Sequence, residues 1–243
     1  MGRIFGDGST DYEKYVRSAD LYRLTRDKEQ WMNEDENLFQ VTHMSMELWL
    51  STVIQHVDQG VVWMNENKPL QAARMLKRGA DIVDFLISSL RFLEQMSPWN
   101  YHQIRVNLGR GSGQQSPTFS HLLEIGKPVL AAYEALLKRR GLTVDDIQQN
   151  PVTHDDLYQL TSAMMTYDEN FMRWRYAHFQ LVKRIIGDKV LSLKGVPATA
   201  LQDGTERKLF PELWECISRT TEVYNARHGA PGNSGYIIPK PKK

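Results

Sequence analysis

Apolar residues in this chain recur at three- and four-residue spacing over most of its length, and no stretch shows the strict alternation of a half-buried strand. A side-chain period near 3.6 cannot be satisfied on a pleated sheet, so the chain reads as all-α: a bundle of helices around one core. Tyr12 to Thr25 predicts a short helix, and Asp35 opens a long one in which Phe39, His43, Glu47, Leu50 and Ile54 share a face. That face is unusually polar for one turned inward. Pro69 suits the first turn of the next helix, whose core side carries Leu76, Val83, Leu86, Leu90 and Leu93 before it ends near Met96. Ser97-Pro98 then restarts the chain as cap and first helical residue, giving a helix through Leu108. Gly109-Arg110-Gly111-Ser112-Gly113 is a loop.

Lys127 to Arg140 predicts a helix with a basic last turn and Gly141 as its C-cap, followed by a short segment that starts at Thr143 and breaks at Asn150-Pro151. Thr153 caps a stretch reaching Gly187, with an interruption expected near Asp168 because unbroken helices of that length are uncommon in compact domains. Residues 188–209 read as a loop of the size that borders active sites, and Phe210 to Tyr224 as the last helix. The expectation is a single all-helical domain over 1–224 and a flexible tail over 225–243, rich in Gly, Pro and Lys.

Charge and cysteine usage narrow the partners. Thirty basic against twenty-nine acidic residues leave a formal charge of +1, which argues against nucleic acid and anionic membrane as ligands. No apolar run has the length of a membrane span. Cys216 is the only cysteine, so no internal disulfide is available, and the start of the chain lacks the apolar run of a signal peptide. These features fit a soluble protein of the reducing cytoplasm.

Three stretches hold the candidate chemistry. In Trp174-Arg175-Tyr176-Ala177-His178, the histidine shares an apolar helix face with Phe171, Trp174, Leu181 and Ile185. A neutral imidazole in such a place suits axial ligation of a haem iron, and equally suits a hydrogen-bonded core histidine. Around His43, the row Phe39, His43, Glu47 reads either as one wall of a pocket or as an ordinary i,i+4 pair on a partly solvated face. Tyr101 and Arg105 stand one turn apart, where an aromatic ring beside a guanidinium could hold an aromatic acid; Arg105 could equally be a surface ion-pair partner. The glycines at 109, 111 and 113 make no phosphate loop, because no Gly-Lys-Ser/Thr follows and no strand precedes them. The histidines lack the close pairing of a zinc site, and Cys216 sits in what reads as a core-facing helix segment.

Taken in order, these stretches resemble the tryptophan 2,3-dioxygenase family of haem enzymes. The resemblance runs from Tyr12-Glu13-Lys14-Tyr15 through Asp35-Glu36-Asn37-Leu38-Phe39, Val41-Thr42-His43 and Glu47-Leu48-Trp49 to Leu93-Glu94-Gln95-Met96-Ser97-Pro98. It continues at Arg105, Ser112-Gly113-Gln114-Gln115-Ser116, Trp174-Arg175-Tyr176-Ala177-His178, Arg184-Ile185-Ile186-Gly187 and Phe210-Pro211-Glu212-Leu213-Trp214. The resemblance implies haem b, with His178 as the axial ligand of its iron. It implies that His43 is the catalytic residue on the distal side, Phe39 and Tyr101 line the pocket, and Arg105 binds the substrate carboxylate. Ser112 matches the pocket serine, beside substrate and haem, and Tyr12 and Tyr15 match residues that reach a neighbouring subunit's site in the family's homotetramers. The substrates implied are an aromatic amino acid and O2.

One departure stands out. The family's Gly-Thr-Gly-Gly-Ser-Ser-Gly loop is replaced by Ser192-Leu193-Lys194-Gly195-Val196-Pro197-Ala198, and Leu193 aligns with the threonine that meets the substrate ammonium. A leucine accepts no hydrogen bond, so free L-tryptophan is expected to be a poor substrate beside a modified amino acid or a different aromatic substrate. The leading expectation is ring oxygenation by a dioxygenase. The alternatives are a haem monooxygenase of a modified tryptophan or tyrosine, and a haem-binding protein without catalysis.

Overall fold

In the computed structural model, which describes residues 8–109, 111, 113–187 and 200–229, all regular structure among the described residues is helical. The element order is α1 (Asp11–Val16), α2 (Ser18–Arg23), α3 (Glu36–Asn65), α4 (Pro69–Leu93), α5 (Pro98–Asn107), α6 (Pro117–Glu124), α7 (Gly126–Arg140), α8 (Val144–Gln149), α9 (Asp155–Ile186), α10 (Ala200–Thr205) and α11 (Pro211–His228). Single 3-10 turns lie at Lys28–Gln30 and Gly113–Gln115.

Local signals set most boundaries. The Ser97 hydroxyl accepts from the amides of Trp99 and Asn100, so α5 begins where Pro98 can occupy its first turn. Thr143 and Asp146 form a capping box at α8, and Gly141 ends α7 at φ 65°.

Four expectations need correction. Tyr12 to Thr25 is two helices, because Arg17 takes a left-handed φ of 58°, which ends α1 and starts α2. Residues 188–209 are not loop throughout, since α10 falls inside them. Helix α11 continues past Tyr224 to His228, into the segment read as tail. Helix α9 runs 32 residues without interruption at Asp168. There the carboxylate is fully buried and accepts from Leu209 N at 2.9 Å, Phe210 N at 3.1 Å and Trp214 Nε1 at 2.9 Å. What looks locally like a helix breaker is the acceptor that fixes the start of α11. Asp168→Leu leaves one buried and two part-buried donors unmatched and is expected to lower unfolding stability by about 3 kcal/mol. Urea denaturation checks this; a midpoint equal to the parent's would contradict it.

The chain divides into two compact units, the described parts of Met1–Ser51, Asp84–Ser120 and Arg173–Glu206 forming the first, and those of Thr52–Val83, His121–Met172 and Arg207–Lys243 the second. In the first, Met46, Leu50, Leu86, Leu90, Ile104 and Ile185 are buried. In the second, Val53, Leu76, Tyr133, Leu160, Tyr167 and Phe210 are buried, and Tyr133 shares a hydrogen bond with Thr161 at 2.5 Å. Close approach is needed at Gly79, where an added Cβ would stand 3.4 Å from the Tyr167 ring. No described helix is long and apolar enough to cross a membrane.

Candidate active site

The first-unit parts of α3, α5 and α9 carry the site, and polar contacts near the starts of α3 and α5 fix these two together. Asp35 accepts from Ser97 N at 3.3 Å and from Asn100 Nδ2 at 2.9 Å. Asn33 Nδ2 donates to Asn100 O at 3.0 Å and to Gln103 Oε1 at 2.9 Å. This network holds the first turns of α5 against the entry to α3, so Tyr101 and Arg105 keep a set position relative to Phe39 and His43. The Phe39 and Tyr101 rings accordingly lie 6.1 Å apart, tilted by 55°.

On α3, Met46 and Leu50 are buried while Phe39, His43 and Glu47 form a half-buried row beside them. A row left half-covered next to a packed stripe is what a pocket wall requires. His43 Nδ1 lies 2.7 Å from the Phe39 carbonyl oxygen, and its ring packs 4.1 Å from the Phe39 ring. A carbonyl can only accept, so the neutral imidazole carries its proton on Nδ1 and presents Nε2 as an acceptor. Burial pushes the His43 pKa below the ordinary histidine value, against the raising effects of the Phe39 hydrogen bond and of Glu47. The uncharged form is therefore favoured.

On α9, Phe171, Trp174, Leu181 and Ile185 are buried, and His178 is the half-buried member of that row. Although part of its surface is reachable, the ring lies deep among apolar atoms, and burial, reinforced by His43, pushes its pKa down to about 4. The Trp174 indole stacks on it at 5.3 Å and 5°, and the Phe119 ring packs 5.0 Å from Trp174. Arg175 is buried, whereas Arg184 is exposed.

On α5, Tyr101 and Arg105 are half-buried. Burial raises the Tyr101 pKa, outweighing the nearby Arg105 charge, so the phenol stays a neutral donor. Among the described residues Arg105 makes no salt bridge, and its guanidinium charge is not committed to a carboxylate there. Tyr12 and Tyr15 stand on α1 at 72% and 91% exposure, and that helix buries no residue. Ser112 and Leu193 lie outside the described residues, as does the whole 192–198 segment.

Sequence reasoning passed over Thr118 and Phe119. Their one local signal is Ser116-Pro117, a cap and first-turn pair like the one opening α5, with Ser116 Oγ accepting from Phe119 N at 3.0 Å.

The first unit thus carries two imidazoles held uncharged by burial, one on α3 and one on α9, each with an aromatic ring against it. Among the described residues no set of three or more His, Cys, Asp or Glu could hold a bare metal ion. Haem asks for less, since the porphyrin brings its iron already held and requires one neutral nitrogen ligand. His178, kept unprotonated by its surroundings, has the chemistry for that role.

The chain is similar to known proteins of one family over most of its length. The family model for tryptophan 2,3-dioxygenase matches residues 2–127, a span that contains Phe39, His43, Tyr101 and Arg105. Over 231 aligned positions, the chain is 29% identical to a tryptophan 2,3-dioxygenase of Erythrobacter litoralis (strain HTCC2594), covering 74% of this chain and 87% of that protein. It is 24% identical to the enzyme of that name from Paraburkholderia phytofirmans, with 86% of each chain covered. For the one from Geobacillus thermodenitrificans the identity is 25%, over 84% of this chain and 92% of the relative.

Proposed function

The chain belongs to the tryptophan 2,3-dioxygenase family, and from that premise we propose that it is a haem-dependent oxidoreductase that inserts oxygen from O2 into the ring of tryptophan or a close relative. One arrangement carries the reading: in the same unit, His43 on α3 is hydrogen-bonded to the Phe39 carbonyl and packed on the Phe39 ring, and His178 on α9 is stacked on Trp174, both held uncharged by burial.

His178 would hold the iron of haem b. When bound, haem supplies dioxygen activation. The side chains supply orientation. Arg105 is placed to take the substrate carboxylate in a two-point charge-assisted bond, and Tyr101 and Phe39 offer ring faces for an indole. Nε2 of His43, the acceptor left by the Phe39 contact, takes a ring N–H. Holding three points of one substrate leaves its ring a single position, and such orientation lowers the barrier to the chemical step.

The reading includes a homotetramer in which Tyr12 and Tyr15 reach a neighbouring copy. Two tyrosines exposed on a helix with no buried residue support it, as do Phe85 and Phe92, both 52% exposed on α4. Solubility and a cytoplasmic setting are part of the same proposal.

The ring-donor contact gives a direct test. In haem-loaded protein, L-tryptophan should perturb the Soret band at concentrations about tenfold lower than N1-methyl-tryptophan, which has no ring N–H. His43→Ala should erase that discrimination. Equal affinities in the parent protein would overturn the assigned role of His43.

A further inference from the structure

Glu47 sits one turn beyond His43 on α3, and its Oε2 accepts from Thr118 Oγ1 at 2.5 Å. Thr118 Oγ1 in turn lies 3.2 Å from Ser116 Oγ. The direction of this chain is fixed by its end. A carboxylate can only accept, so the Thr118 proton points to Glu47 and the Ser116 proton to Thr118. Ser116 Oγ is then left to accept from Phe119 N, at 3.0 Å. One hydrogen bond thus ties the first turn of α6 to α3, and two more hold that turn together.

That first turn bears on the other histidine. Phe119 packs 5.0 Å from the Trp174 ring, and Trp174 stacks on His178 at 5.3 Å with the planes 5° apart. His178 has no hydrogen-bond acceptor among the described residues to orient its ring, so the stacked indole is what sets the ring's azimuth. A ring held by packing alone turns when the packing partner moves.

We propose that Glu47 is a positioning residue for His178: by holding Thr118 and Ser116 it fixes Phe119 against Trp174 and so sets the plane of the imidazole. The proposal deepens the reading of His178 as the haem ligand and rests on it. It also gives α3 two tasks, His43 toward the substrate and Glu47 toward the opposite wall. Neither Glu47 nor Thr118 touches substrate or haem in this account.

The test uses the full-length holoprotein and two readouts. In the ferrous state, resonance Raman spectroscopy reads the iron–histidine stretch, and haem transfer to excess apoglobin reads the dissociation rate. Thr118→Val keeps size and removes the donor; it should shift or broaden the stretch and speed haem loss about tenfold, within the range for groups that orient a metal ligand. Glu47→Leu should do the same, and the double variant should be no worse than either, because both break one chain. Glu47→Gln and Thr118→Ser, which keep acceptor and donor, should return the parent band. Should Glu47→Leu fail to fold, Thr118→Val and its serine rescue carry the test. An unchanged stretch in folded Thr118→Val, or additive losses in the double variant, would overturn the proposal. Hydrogen exchange at Phe119 N–H in haem-free protein separates this from a failure of the haem reading: exchange should rise about tenfold in Thr118→Val whether or not haem binds, and an unchanged rate would refute the hydrogen-bond chain itself.

Discussion

His178→Ala is expected to retain less than a tenth of the parent's haem after desalting, and added imidazole should restore a ferrous spectrum close to the parent's. The expectation follows from how the residue is held. Phe171, Trp174, Leu181 and Ile185 bury the rest of the α9 row, and His178 alone among them keeps surface to offer a ligand. Its pKa, pushed down to about 4, keeps the ring nitrogen unprotonated through the neutral range, so no proton competes with iron there. Free imidazole supplies the same lone pair without the chain, which is why it should rescue the spectrum. Parental haem content with an unchanged ferrous spectrum would mean that the iron is held elsewhere.

Arg105→Leu is expected to lower kcat/KM by about thirtyfold, corresponding to about 2 kcal/mol for a lost charge-assisted contact at a half-buried site. Haem content and the ferrous spectrum should stay at parental levels, because Arg105 stands on α5 and not on α9. Its charge makes no salt bridge among the described residues, so the substitution strands no carboxylate partner there. Lysine should rescue poorly, since a point charge cannot reproduce two parallel N–H bonds. Methyl-ester substrates provide the companion measurement: in the variant they should lose most of their disadvantage against the free acid. Parental kinetics with the preference for the free acid intact would place the carboxylate anchor on another residue.

Most of the site was legible in the sequence because its members sit on long helices, where spacing fixes the face. Phe39, His43 and Glu47 fall four apart and do form one row; Tyr101 and Arg105 do share α5; His178 does lie in an apolar stripe. The caps at Ser97 and Gly141 were readable for the same reason, since each acts on its own helix. What escaped depends on partners distant in sequence. Asp168 looked like an interruption because its donors, Leu209, Phe210 and Trp214, lie some forty residues downstream. The left-handed turn at Arg17 carries no glycine to announce it. Thr118 gave no sign of its bond to Glu47 on another helix. That His43 and His178 serve one site is an implication of the family resemblance, because no local period spans the sequence between α3 and α9.

The measurement that bears most directly on the account is single turnover of the ferrous, haem-loaded protein with L-tryptophan under isotopically labelled dioxygen, read by mass spectrometry. The account predicts a ring-opened product carrying two labelled oxygen atoms, and the same outcome at a different rate for ring- or side-chain-modified tryptophans. Product with one labelled atom would make the protein a monooxygenase, and absence of labelled product across the whole panel, with haem bound and reduced, would contradict the assignment of an oxygenase.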